Sequence, residues 1–253
     1  MDFDINILFI VLPFIFLGGF VDSIAGGGGV VTWIGFLVGG LPIHLIYGTN
    51  KAQALVGTAV STYNYLKEGH FNKWYIPFAT VGAIIGSALG SYMVTITSAE
   101  ILNLIMILVL PCIGVLMMFN KKIVSNKKVS FSKKKIFVIS AIIGLVIGLY
   151  DGFIGPGTGT FLIIAFSLCG LSMLEAGGNA KIINLITNLI SFIIFFFNGI
   201  IIWWLAIPCI ITNIIANYFG SKLAIKNGEK IIRPVLIFVM LLLAAKIIFD
   251  IVA

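Results

Sequence analysis

The sequence predicts an all-α protein that crosses a membrane many times and is built from two homologous halves. Hydrophobic residues make up 60% of the 253 residues and charged residues only 10%, whereas a soluble domain carries about a quarter charged residues. A soluble core of this size cannot enclose so much apolar surface, so lipid must be the solvent for most of the chain. Long apolar runs and an internal repeat complete the prediction.

Ten apolar runs of spanning or near-spanning length form two sets of five. Several are shorter than the roughly 20 residues that a perpendicular helix needs. The first set covers residues 5–21, 28–46, 52–66, 74–96 and 100–119, and the second covers 136–150, 158–174, 182–198, 200–220 and 234–252. We therefore expect an N-terminal transmembrane repeat over residues 1–120, a basic cytoplasmic linker over 121–135 and a C-terminal transmembrane repeat over 136–253, with about four to five segments in each repeat.

The two halves repeat the same polar residues and glycines. A shift of 129 residues superimposes Gly19 to Trp74 on the second half without a gap. The matched pairs include Gly19 with Gly148, Asp22 with Asp151, Gly26 with Gly155, Gly28 with Gly157, Asn50 with Asn179 and Trp74 with Trp203. Chance matches are common among Ile and Phe in such a sequence, but not among Asp, Asn, Trp and spaced Gly.

The charges indicate how the halves are oriented. With the N-terminus outside and all ten segments crossing, three regions lie inside: Lys67 to Lys73, the linker, and the loop 222–233. These regions hold 13 of the 16 basic residues, as the positive-inside rule requires of cytoplasmic loops. Making only the second segment of each half re-entrant would place the linker or the loop 222–233 outside. Five segments per half therefore predict inverted repeats, an architecture common in secondary transporters.

Other classes of protein fit the sequence poorly. The net charge of +7 does not indicate nucleic acid, because seven lysines lie together between Lys121 and Lys135. Cys112, Cys169 and Cys209 stand singly in apolar runs, which favours packing over a redox or metal site. We expect no cofactor and no metal.

Two glycine-rich stretches, residues 18–29 and 148–159, are the first candidate site. Runs of Gly with Pro break helices, and broken backbone at membrane depth is tolerated only beside protein or a watery cavity. The helix that follows such a break begins with free N–H groups and a positive dipole end, which attracts anions. Close helix packing by small residues is the alternative. The candidate residues here are Gly26, Gly28, Gly155, Gly157 and Thr158.

The second motif places Asn50 and Lys51 in the first half and Asn179 and Lys181 in the second. A lysine at membrane depth usually faces a partner or a cavity, and asparagine can donate hydrogen bonds to an anion. Alternatively, each lysine extends to a nearby interface. The polar residues Asn184, Thr187 and Asn188 either line a polar path or join helices.

Asp22 and Asp151 are the two acids of the glycine-rich stretches. They could carry a coupling proton, or they could satisfy free N–H groups or pair with a lysine; we favour the structural role. In the inverted model, Asp22 lies on the same side as Lys181, and Asp151 lies on the same side as Lys51. Pairing would then join the two halves and suit two gates about a central site.

At these residues the sequence resembles a known family. The strings GFVDSIAGGGG, GTNKAQALVGTAVSTYNYLKEGH, GLYDGFIGPGTG and GGNAKIINLITNL are similar to the TauE/SafE sulfite-exporter-type membrane transporters, over about residues 8–250. The resemblance implies a multi-pass permease of the cytoplasmic membrane for sulfur-containing anions such as sulfite, sulfonates and sulfoacetate. Members are described with fewer spans than ten, so two segments would be short or re-entrant. By motif position it implicates Asp22, Gly26, Gly28, Asn50, Lys51, Asp151, Gly155, Gly157 and Asn179.

The expected function is therefore secondary transport of a small anion, coupled to a proton or a sodium ion. A passive anion channel is the main alternative, because a glycine-rich filter with lysines serves both uses. We expect no enzyme, since the motifs GxSG, HExxH and GxGD and the Walker phosphate loop are absent. A scaffold has little reason to bear buried repeated charges. The partners would be the anion, the coupling ion and the bilayer; the apolar faces would also permit a homodimer.

Overall fold

The computed structural model describes residues 4–106, 108, 131–228, 230–232 and 234–235, and within them the chain forms helices and no strand. The helices are α1 (Ile5–Ala25), α2 (Gly29–Val38), α3 (Ile43–Lys67), α4 (Ile76–Ile96), α5 (Lys133–Phe153), α6 (Thr158–Leu168), α7 (Met173–Phe197) and α8 (Trp203–Asn227). Residues 99–106 are also helical. Most of the predicted segments 100–119 and 234–252, with Cys112, lies outside the described residues, as does the linker up to residue 130.

Five of the described helices are long and apolar enough to cross a membrane: α1, α4, α5, α7 and α8. Helix α3 has 25 residues, as many as α7, but it carries more polar side chains, and most of these are buried. The described part of the chain is therefore an all-α membrane protein, as predicted. Lys133, Lys134 and Lys135, which the sequence assigned to the linker, form the first turn of α5.

The predicted glycine-rich helix breaks are present in both halves. Helix α1 ends at Ala25 and α2 begins at Gly29, while α5 ends at Phe153 and α6 begins at Thr158. Gly26, Gly155 and Gly157 have φ angles of 77°, 92° and 86°, a region that residues with a Cβ rarely adopt. Each break therefore depends on glycine.

Each break reverses the chain into a hairpin, which corrects the expectation that all ten segments cross. Helix α2 has only 10 residues, about 15 Å of helix against a hydrocarbon core of about 30 Å. A Cβ on Gly35 would lie 2.4 Å from the Cβ of Phe14, and one on Gly18 would lie 2.4 Å from Thr32, so α2 runs back along α1. The 11-residue α6 occupies the same place in the second half.

The helix boundaries near the second motif also differ from the prediction. Helix α3 continues through Gly48 to Gln53 instead of starting near residue 52, because the buried polar side chains there find partners without disturbing the helical backbone. The chain turns earlier, at Gly39 and Gly40, and Gly40 has a φ of 72°. In the second half the corresponding turn is at Gly170, before α7.

Contacts between the long helices show which of them are parallel and which are antiparallel. Helices α4 and α5 are parallel and interlock through glycines, with Gly82 against Ala141 and Gly90 against Phe153; such small-residue stripes allow close approach in membranes. Helices α3 and α7 are antiparallel, since Thr62 donates to the Lys181 carbonyl at 3.1 Å and the ring of Tyr47 contacts that of Phe195.

Helices α1 and α8 are parallel, with Gly19 beside Asn213 and Gly220 beside Ser23. These directions place Lys67, Lys73, Lys133 and Lys222 at one end of the helices, called here the basic end. Inverted repeats require α3 and α7 to be antiparallel, as they are here. The inverted relation of the two complete halves stays a prediction.

The two hairpin tips meet inside the molecule. The Thr160 amide donates to the Gly26 carbonyl at 3.2 Å, and its hydroxyl donates to the Ala25 carbonyl at 2.9 Å. A Cβ on Gly26 would lie 2.2 Å from the carbonyl carbon of Gly159. Glycine at positions 26 and 159 therefore lets the backbones of the two halves touch directly.

This contact predicts that Gly26→Ala prevents accumulation of folded protein, whereas Gly40→Ala does not. Both residues have positive φ, a strain of about 1–2 kcal/mol for alanine, but no atom lies within 4 Å of a Cβ on Gly40. Size-exclusion chromatography and thermal unfolding in detergent measure the difference. An equal loss of folded protein in the two variants would contradict close contact between the two hairpin tips.

The hairpins also predict the sidedness of the turns. Cysteines introduced at Pro42 and Asn198, in a background without native cysteine, should react with an impermeant maleimide from one face of the membrane, and one at Glu68 from the other. All three positions are exposed. Labelling of Pro42→Cys and Glu68→Cys from the same face would mean that α3, which joins these two positions, does not cross the membrane.

Candidate functional site

A small polar cavity lies where the hairpin tips approach α3, α7 and α8. Its volume is about 50 Å³, enough for a few water molecules or a small ion. The lining residues are Gly18, Gly19, Asp22, Gly26, Gly29, Thr32, Asn50, Lys51, Gln53, Ala54, Thr58, Asp151, Gly155, Gly157, Thr158, Gly159, Asn184, Asn188, Asn213 and Asn217. Apart from Ala54, every lining residue is glycine, polar or charged. The cavity is therefore polar although the surrounding chain is mostly apolar.

Lys51 and Asp151 form a buried ion pair in the cavity wall. The Lys51 Nζ lies 2.7 Å from the Asp151 Oδ2, and the two side chains are 4% and 3% exposed. Lys51 also donates to the Asn188 Oδ1 at 3.0 Å, and the Thr158 hydroxyl donates to the Asp151 Oδ1 at 2.7 Å. Because an isolated buried charge is very costly, each of these ions requires the other.

Lys181 and Asp22 form a second ion pair with the same Nζ to Oδ2 distance of 2.7 Å. Lys181 is 2% exposed but Asp22 is 22% exposed, so this pair is the more accessible. The Lys181 ammonium also donates to the Asp22 carbonyl. Each pair joins a lysine of one half to an aspartate of the other, which is the pairing that the sequence predicted.

Six of the residues that line the cavity carry amide side chains. The Asn50 Oδ1 accepts from the Thr32 hydroxyl at 3.2 Å and from the Gln53 Nε2 at 2.8 Å. On α7, the Asn188 Nδ2 donates to the Asn184 Oδ1 at 2.8 Å. On α8, Asn213 and Asn217 are bonded to each other in the same way. Three helices thus carry paired or clustered amides into one cavity.

Eight of the predicted site residues line the cavity: Asp22, Gly26, Asn50, Lys51, Asp151, Gly155, Gly157 and Thr158. Gly28 does not; a Cβ there would lie 1.7 Å from the Gly18 carbonyl oxygen, so it permits close packing of α1 against the break. Lys181 lies behind Asp22, outside the lining. The Asn179 amide instead accepts from the Asn72 N–H at 2.8 Å and donates to its carbonyl, so it fixes the loop before α4.

The sequence did not single out Thr32, Asn213 or Asn217, which also line the cavity. A signal for the asparagines exists, because Asn213 and Asn217 are four residues apart in an apolar helix, as Asn184 and Asn188 are. Residues at that spacing share one helix face. Thr32 gave no such signal, since it stands alone in an apolar run.

Two features of the cavity stabilise negative charge. Helices α2 and α6 both begin at the cavity, where Gly29, Thr158 and Gly159 line it, and helix N-termini stabilise negative charge. The Lys51 ammonium has three N–H donors, of which Asp151 and Asn188 occupy two. Within the described residues, no three His, Cys, Asp or Glu side chains are grouped to hold a metal ion.

The buried pair predicts that a single substitution lowers the free energy of unfolding much more than the double substitution does. Lys51→Met should destabilise the protein by about 3–5 kcal/mol, because it leaves Asp151 buried and unpaired, whereas Lys51→Met with Asp151→Leu should recover most of that loss. Unfolding in detergent measures both, and Lys222→Met, at an exposed lysine, is the control. A double variant no more stable than Lys51→Met would show that the pairing is not what stabilises these side chains.

Comparison with known proteins agrees with the motifs. The family model described as "Sulfite exporter TauE/SafE" matches residues 11–247. The chain is 34% identical to "Probable membrane transporter protein ORF9" of Sinorhizobium sp, with 98% of this chain and 95% of that protein covered. It is 30% identical to a "Probable membrane transporter protein" of Haemophilus influenzae, with 99% and 98% covered. It is 28% identical to "Probable membrane transporter protein YfcA" of Escherichia coli K12, with 97% and 94% covered. No solved structure gives a significant match.

Proposed function

The chain belongs to the sulfite exporter TauE/SafE family and is a membrane transporter, and we propose that it moves a small anion by secondary transport. The proposed substrate is a sulfur-containing anion of the sulfite or sulfonate type; the family name mentions sulfite. The proposed location is the cytoplasmic membrane, with the basic end facing the cytoplasm. Clustered lysines at one end of the helices support this orientation.

The observation that carries the proposal is the Lys51–Asp151 pair in the wall of a polar cavity. Sulfite and sulfonates present several acceptor oxygens, which match the lysine ammonium, the asparagine amides and the N–H groups at the start of α6. An entering anion would take up the free donor of Lys51 and compete with Asp151 for the others. The ion pair would thus keep the site neutral when it is empty and yield when it is filled.

The positions of the two pairs support two gates. Lys51 lies in the first third of α3 and Lys181 in the first third of α7, and these helices are antiparallel, so the pairs lie toward opposite ends of the molecule. Each pair fastens a long helix to the hairpin of the other half. Release of one pair by the anion would free one hairpin and open the cavity on one side, which is the essence of alternating access.

The accessible Asp22 supports an assignment of the gates in this conformation. Asp22 is 22% exposed, whereas Asp151 is 3% exposed. Asp22 pairs with Lys181, near the start of α7 at the basic end. We therefore propose that the cavity opens more readily toward the basic end here, and that Lys51–Asp151 is the closed gate on the far side.

Anion flux into proteoliposomes tests the proposal. Purified protein should transport at least one of sulfite, thiosulfate, sulfoacetate and taurine, and an imposed proton or sodium gradient should accelerate uptake. Lys51→Met with Asp151→Leu, the variant expected to fold, should lose at least about tenfold in flux, as for a lost hydrogen bond to a charged group. Lys222→Met should keep full flux.

Three outcomes would contradict parts of the proposal. Folded protein that moves none of these anions would refute the substrate class. Flux that ignores every gradient would indicate a passive channel. Full flux in the double variant would remove Lys51 from the binding site.

A further inference from the structure

Two buried amide oxygens, both on residues that line the cavity, have no hydrogen-bond donor within the described residues. They are the Asn217 Oδ1 and the Gln53 Oε1. Both side chains are 1% exposed, and both residues line the cavity. A buried polar atom without a partner is costly, so an unpaired acceptor at a cavity wall calls for a ligand that the protein itself does not supply.

The orientation of the Asn217 amide is fixed by its neighbours. The Asn213 Nδ2 donates to the Gln53 main-chain carbonyl at 2.9 Å, which sets the direction of the Asn213 amide. The Asn217 Nδ2 then donates to the Asn213 main-chain oxygen at 3.1 Å and to its Oδ1 at 2.8 Å. Turning Asn217 over would set its oxygen against two other oxygens, so the unpaired atom must be the acceptor.

Glycines bring these amides together. A Cβ on Gly57 would lie 2.3 Å from the Asn213 Nδ2 and 2.7 Å from the Asn217 Nδ2. Gly57 is one helical turn after Gln53, so the face of α3 that carries Gln53 packs directly on the amides of α8. A Cβ on Gly19 would lie 1.9 Å from the Asn213 Oδ1, so α1 leaves room for that oxygen as well.

The chemistry of these oxygens selects the ligand. Amide oxygens are neutral acceptors; they repel an anion, and they do not take up a proton near neutral pH as a carboxylate can. Hard cations prefer oxygen ligands, and the divalent ones are held chiefly by carboxylates, which are absent from this pair. We propose that Gln53, Asn213 and Asn217 form a sodium site, beside the anion site at Lys51.

This inference rests on the proposed function, because it names the coupling ion of that transport. A sodium ion would offset the charge of the anion in a cavity where each lysine already has its own aspartate. Co-binding would then favour loading of both ions together, since each lowers the electrostatic cost of the other. The anion would lie against the donors of Lys51, and the cation against the amide oxygens of Gln53 and Asn217.

The amides of α8 are not a consequence of the repeat. Helix α4 follows the repeated stretch in the first half, as α8 does in the second, and it contains no Asn or Gln at any position. The fold does not require these asparagines in both halves, which supports a one-sided role in ion binding.

Thermal unfolding of the purified full-length protein, without any anion substrate beyond chloride, tests the site. Sodium chloride should raise the unfolding temperature by a few degrees over equal concentrations of potassium or choline chloride, as a ligand that binds only the folded state does. The shift should vanish in Asn217→Ala and in Gln53→Ala, and persist or grow in Asn217→Asp, which keeps an oxygen there. Asn64→Ala is the matched control, because this buried amide of α3 donates to Ser221 outside the cavity lining.

The results that would overturn the sodium site differ from those that would refute anion transport. No sodium-specific shift in folded wild-type protein would mean that water alone satisfies the two oxygens, and would overturn the inference even if anion flux is intact. A shift that survives both Asn217→Ala and Gln53→Ala would place the sodium elsewhere and also overturn it. A shift that vanishes as expected, in protein that moves no anion, would retain the sodium site and refute the transport of these anions.

Discussion

The structure depends on one constraint: a charge inside lipid must have a partner. Lys51 and Lys181 lie within long helices at membrane depth, and each is neutralised by an aspartate at the end of a hairpin of the other half. These two contacts hold each hairpin against a long helix from the opposite half. Because the partners come from different halves, neither half can satisfy its own charges alone, and the polar centre forms only when both have folded.

The glycines follow from the same constraint. Bringing an aspartate to a lysine deep in the membrane requires the chain to stop, turn and return, and the positive φ angles at Gly26, Gly155 and Gly157 allow that reversal. The tips then touch through backbone at Gly26 and Gly159, and the space beside them becomes the cavity. The residues around it include N–H donors, at Lys51 and the start of α6, and amide oxygens, at Gln53 and Asn217, and the proposed anion and sodium sites rest on these two sets.

The sequence predicted the breaks and the pairs because both depend on residue types that are rare in apolar segments. It misplaced the start of α3, because Asn50 and Lys51 interrupt the apolar run and so suggested a gap between two helices. In the structure both residues lie within the helix, since buried side chains that find partners leave the helical backbone intact. The charges did not reveal the hairpins, because charge counting cannot distinguish two crossings from a segment that enters and returns; only the family resemblance implied two short or re-entrant segments. Asn179 matched its repeat partner in sequence only; in three dimensions it binds the Asn72 backbone.

The most direct test of the central claim is to locate a bound anion. Selenite has the charge and shape of sulfite and contains an anomalous scatterer, so crystals of the protein grown with selenite would report its position. If Lys51 binds the transported anion, an anomalous peak will lie within hydrogen-bonding distance of the Lys51 ammonium and the start of α6. A peak found only at the exposed lysines of the basic end, with the cavity unchanged, would contradict it.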